Sequence, residues 1–79
     1  MAILQVPAFG AVGNATLSSA EVWYAEGGDV RVQTSAPASR LDGIPLKTGG
    51  AGIKFESGET VHYWLDGNVG ASVVRMAVR

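Results

Sequence analysis

Residues 53–65, Ile53-Lys54-Phe55-Glu56-Ser57-Gly58-Glu59-Thr60-Val61-His62-Tyr63-Trp64-Leu65, decide the fold class. Ile53 and Phe55 alternate with Lys54 and Glu56. After a Ser57-Gly58-Glu59 break, Val61, Tyr63 and Leu65 alternate with Thr60, His62 and Trp64. Successive side chains of an extended chain point to opposite faces, so this period of two describes half-buried strands joined by a turn.

The same reading extends in both directions. Val22 and Tyr24 alternate with Glu21 and Trp23, and Val30 and Val32 with Arg31 and Gln33. Glu26-Gly27-Gly28-Asp29 lies between these two segments, and paired glycines supply the positive φ of a tight hairpin turn. Asp66-Gly67-Asn68 leads into a last strand from about Ala71 to Val78, where Val74, Met76 and Val78 are expected inward and Arg75 in solvent. Short strands are also expected at Ile3–Val6 and Ala15–Leu17. Gly43-Ile44-Pro45-Leu46 must be an edge strand or a short extended piece, because Pro45 has no backbone donor. Gly49-Gly50-Ala51-Gly52 reads as a turn or bulge. Thr34–Leu41, rich in small and polar residues, is the longest loop and is expected to carry the chain between sheets. No segment keeps a helical apolar period. The expectation is an all-β fold: a small β-sandwich or compact barrel of about seven to eight short antiparallel strands, with jelly-roll and immunoglobulin-like topologies both open.

The 79 residues suffice for one domain. Residues 20–79 are expected to form the sandwich core and residues 1–19 an amino-terminal strand or arm that contacts a partner. A chain of this length buries too little surface for high stability, and the absence of cysteine removes disulfides and thiolate zinc sites. Association is the stabiliser that remains. Charged residues make up 16% of the chain, against about 25% in an average protein, so an unusual share of the surface is uncharged. Net charge is −1 with no basic run, which argues against nucleic acid and against a polybasic membrane contact. The start, MAILQVPAFG, lacks the pattern of a secretory signal, and no apolar run is long enough for a membrane helix.

Catalytic patterns are missing as well. His62 is the single imidazole and sits mid-strand, beside no G-x-S-x-G elbow. Asp29, Asp42, Glu59 and Asp66 stand beside turns without the spacing of a calcium loop. Gly49–Gly52 lacks the following Lys-Ser/Thr and helix of a phosphate-binding loop. The expectation is a protein that is not an enzyme and uses no metal or cofactor. If Val22, Tyr24, Val61, Tyr63 and Leu65 face the core, Trp23 and Trp64 face outward, where large aromatics suit an interface. Trp23, Trp64 and His62, with Ile3 and Val6 on the arm and Arg75 near the carboxyl end, are the candidate interface residues. Arg79 is a further candidate for a charged contact.

The stretches AEVWYAEGGDVRVQTS (20–35), GIPLKTGGAGIKFESGETVHYWLDG (43–67) and ASVVRMAVR (71–79) follow one layout. It resembles that of the small β-sandwich virion proteins of tailed bacteriophages, which include capsid decoration (cement) proteins and related head-fibre and tail domains. The likeness covers roughly residues 20–79. It implies a structural role on the virion, assembled in the host cytoplasm, with the major capsid protein or other virion subunits as partners and a homo-oligomer, preferably a trimer. By the same likeness the amino-terminal segment would lie along the shell. The competing expectation is a receptor- or carbohydrate-binding module of a fibre or tail, in which Tyr63 and Trp64 stack on sugars.

Overall fold

The computed structural model of the chain describes residues 2–39 and 41–78, so the Arg79 expectation falls outside the described residues. Eight strands form: β1 (Ala2–Gln5), β2 (Gly13–Thr16), β3 (Glu21–Glu26), β4 (Val30–Gln33), β5 (Ile44–Leu46), β6 (Ile53–Phe55), β7 (Thr60–Leu65) and β8 (Ser72–Ala77). They make two antiparallel four-stranded sheets packed as a sandwich, not a closed barrel. Sheet A has the order β1-β8-β3-β6 and sheet B the order β2-β7-β4-β5.

The first strand pairs with the last, the second with the seventh, the third with the sixth and the fourth with the fifth. The β3–β8 and β4–β7 ladders stitch these pairs into sheets. This is the strand order of a jelly roll, which settles the topology that periodicity left open. Every connection except β4–β5 passes from one sheet to the other. The turn at Gly27-Gly28 is therefore a crossing between layers and not a hairpin, as is the one at Ser57-Gly58-Glu59. The expected left-handed glycines are present all the same, with φ of 83° at Gly27 and 88° at Gly58.

The core between the sheets holds Trp23, Ala25, Val30, Val32, Leu46, Phe55, Val61, Tyr63, Leu65 and Val73, closed at the ends by Val6, Leu17 and Ala71. The alternation in β4, β6 and β7 is as expected. In β3 and β8 it is inverted: Trp23, Ala25 and Val73 point inward, while Tyr24, Met76 and Val78 are exposed and Val22 and Val74 half-buried. Both faces of these two strands are apolar. Glu21 and Arg75, which share the inner face with Trp23, disguise that face as the outer one. Their charges are matched there, with Arg75 Nε donating to Glu21 Oε1 at 2.7 Å.

The segment between β4 and β5 joins neighbours within sheet B, and its described residues, 34–39 and 41–43, lie over the outside of that sheet. Asp42 holds it, accepting from the backbone N–H groups of Ala38 and Ser39 at 3.0 and 3.1 Å. Residues 2–19 are likewise built into the sandwich: β1 and β2 are edge strands of the two sheets, and Leu17 is buried.

Candidate interaction surface

The six candidate residues do not gather on one surface. Trp23 is fully buried. Its ring meets Phe55 and Tyr63 edge-on, with centroids 5.4 and 5.8 Å apart, and its Nε1–H donates to Glu21 Oε1 at 2.9 Å. Arg75, expected in solvent, is half-buried. It grips Glu21 with two nitrogens, and its guanidinium lies 5.3 Å from the centre of the Trp23 ring. Burial raises the Glu21 pKa, but the hydrogen bonds from Arg75 and Trp23 and the Arg75 charge outweigh it and hold the carboxyl below its ordinary value. Val6 belongs to the core, where its N–H donates to Ala71 O.

Trp64 does point away from the core, yet it is only 2% exposed. The β1–β2 connection and the 34–43 loop cover it, leaving beside it a shallow recess lined by Gly10, Val12, Pro37 and Ser39. Gly43 makes this cover possible: a Cβ there would lie 2.9 Å from the Trp64 ring and 2.8 Å from Val32 O. Arg31 pins the loop from below, donating to Asp66 Oδ1 at 2.6 Å and to Leu41 O at 2.7 Å. Because Tyr63 and Trp64 are both buried, neither offers a ring face on which a sugar would stack.

His62 sits half-buried on the outer face of sheet B, cross-strand from Asn14 and Gln33. In the next row on the same face, Thr16 and Thr60 share a hydroxyl hydrogen bond of 2.8 Å. The surroundings of His62 are polar, and none of the hydrogen bonds among the described residues joins His62 to an acid or a nucleophile. A wider concavity of about 300 Å³ is lined by Gly28, Asp29, Asp66, Gly67 and Val69. Its two acids are already engaged. Asp29 accepts from Thr48 N at 3.0 Å and Lys47 Nζ at 3.2 Å, and Arg31 holds Asp66. The Thr48 N–H foremost, then Lys47, lowers the Asp29 pKa. Among the described residues no group of three or more His, Cys, Asp or Glu could hold a metal ion, and no helix is long and apolar enough to cross a membrane.

The surface that stands out is the outer face of sheet A. Register places Ile3, Val74 and Tyr24 in one cross-strand row, with Met76 beside Val22 in the next, and Val78 continues the β8 line. Ile3 is 64% and Met76 45% exposed. Tyr24 lies over Gly52, where a Cβ would come within 2.7 Å of its ring, so a glycine keeps this face flat. Among the described residues charge enters at the margin, with Glu26 on β3 and with Lys54 on β6, which is paired with Glu56. Of the six candidates, Ile3 alone belongs here. Val22, Tyr24, Val74, Met76 and Val78 had been expected in the core; the signal that would have found them is the shared parity of Glu21 and Arg75, which marks an ion pair on one face. Comparison with protein-family models, with curated proteins and with solved structures returns no match.

Proposed function

We propose that this chain is a structural virion protein, a capsid decoration protein of a tailed phage head that docks through the outer face of sheet A and bridges neighbouring shell subunits. The observation that carries the docking role is the apolar, nearly uncharged row system of Ile3, Val22, Tyr24, Val74, Met76 and Val78. On the outer face of sheet B, by contrast, the strand residues around His62 (Asn14, Thr16, Gln33 and Thr60) are polar, and the exposed apolar residues Phe9, Val12 and Leu41 sit apart in the segments that cover Trp64. Soluble monomers rarely expose contiguous apolar patches larger than a few hundred Å², and larger ones mark protein contacts. The capsid as partner comes from the sequence resemblance. A rigid eight-stranded sandwich suits the task, since each bridge adds interface that must break before the shell opens.

The test is co-sedimentation with phage heads prepared without the chain from the phage that encodes it. Wild type should pellet with the heads. Val22→Lys and Met76→Lys, which charge the outer face of sheet A, should each lose at least tenfold in affinity, while His62→Lys on the opposite face should bind as wild type. Binding lost only in His62→Lys, or no binding by wild type, would refute the proposal.

A further inference from the structure

All thirteen charged residues, six Lys and Arg plus seven Asp and Glu, lie from Glu21 onward; residues 1–20 hold none. The fold turns this linear asymmetry into a spatial one. The connections β1–β2 and β5–β6 cross between the layers, so β1 and β2 form one flank of the sandwich and β6 and β5 the other. Open edge strands invite pairing with another chain, and proteins usually guard them with charge or proline. The far flank is guarded in both ways, by Pro45 within β5 and Lys54 within β6. The near flank, Ala2–Gln5 over Gly13–Thr16, has neither.

We propose that a second copy of this chain pairs with β1, joining two A sheets into one continuous eight-stranded sheet about a two-fold axis. Hydrogen-bond direction fixes the register. Val6 N–H, one residue past β1, donates to Ala71 O, one residue before β8. Backbone groups alternate sides along a strand, so Ala2 and Leu4 also face β8, while the N–H and C=O of Ile3 and Gln5 face away from it. When Leu4 stands opposite Leu4 of the second copy, Ile3 stands opposite Gln5 and Gln5 opposite Ile3. All four outward groups of each strand then find partners. Ile3 and Gln5 line up on the outer face. The half-buried Leu4, already packed against the core, meets its counterpart on the inner side. A neutral edge is its own complement: no like charges oppose each other across the axis. Phe9 and Val12, both exposed in the uncharged β1–β2 connection, add apolar surface to the uncharged segment.

This seam shares Ile3 with the apolar outer face of sheet A but is held by the backbone of β1, so the chain alone tests it without a capsid, and a two-fold pair replaces the trimer that the resemblance implies. Sedimentation equilibrium of the full chain from micromolar to millimolar concentration tests it. Wild type should pass from monomer to dimer. Gln5→Pro, which removes an outward N–H, and Ile3→Lys, which charges the edge, should stay monomeric with unchanged melting. Ile44→Lys, on the guarded flank, should dimerise as wild type. Amide exchange provides a check that needs no variant: the N–H groups of Ile3 and Gln5 should exchange about tenfold slower once nine-tenths of the chain is paired. A monomer at millimolar concentration, a trimer, or a dimer that survives both β1 variants and leaves these amides fast would overturn the proposal.

Discussion

Replacing Trp23 by alanine probes the layer contact on which the sandwich depends. The side chain is fully buried between β3 and β7. Taking an aromatic of this size out of water removes about 150–250 Å² of accessible surface, which at ~25 cal/mol per Å² is about 4–6 kcal/mol. The substitution also strips the indole donor from Glu21 and the ring from beneath Arg75. Substitutions of this type cost about 3–5 kcal/mol in practice, because the surroundings relax in part. A 79-residue domain has only about 4–12 kcal/mol to lose. Trp23→Ala should therefore lose between about a quarter and all of that stability, with a urea midpoint far below that of wild type. Trp23→Phe, which keeps a ring against Phe55 and Tyr63, should lose about 1–3 kcal/mol. Urea denaturation followed by far-ultraviolet circular dichroism gives both numbers. A loss under about 1.5 kcal/mol for Trp23→Ala, with an unchanged denaturant slope, would refute the reasoning and return Trp23 to the surface.

Three further outcomes follow from the same packing. Glu21 has its pKa lowered in the folded state, so its contribution is present above the ordinary value of 4.5 and is lost as pH falls through the lowered one; Glu21→Gln should melt with a shallower acid dependence than wild type, and equal slopes would contradict this. Gly43→Ala should destabilise by about 1–3 kcal/mol, since Gly43 has φ of 84° and no room for a Cβ, whereas Gly49→Ala, equally left-handed but in open space, should lose less; equal losses in urea titrations would count against the account. Arg31→Met should release the 34–43 loop, cost about 1–3 kcal/mol and raise acrylamide quenching of Trp64 fluorescence, a readout that stays flat if the loop is held by other means.

Much of the fold is legible in the chain because local chemistry and layer packing agree there. The apolar parity of β4, β6 and β7, the edge position forced on β5 by Pro45, and the left-handed glycines Gly27 and Gly58 all follow from the residues themselves. Turn chemistry says that the chain reverses but not into which layer, and so Gly27-Gly28 passes for a hairpin. Strand parity fails where both faces are apolar. In β3 and β8 the decision hangs on Glu21 and Arg75, and two charges that neutralise each other on an inner face look, one strand at a time, like a solvent face. That single inversion moved Val22, Tyr24, Val74 and Met76 into the expected core and Trp23 onto the expected surface. Trp64 was read on the correct side of its strand; what hides it is a loop anchored by Asp42 and Arg31, a long-range contact that no period records.

Oxidation footprinting of Met76 tests the docking face most directly. Met76 lies in the exposed apolar row of β8, and trypsin cleavage after Arg75 isolates it in the peptide 76–79. Peroxide treatment of the free protein and of the protein bound to phage heads, read by mass spectrometry, should show rapid sulfoxide formation in solution and strong protection on the particle. Equal oxidation in the two states would contradict the assignment of this face to the shell.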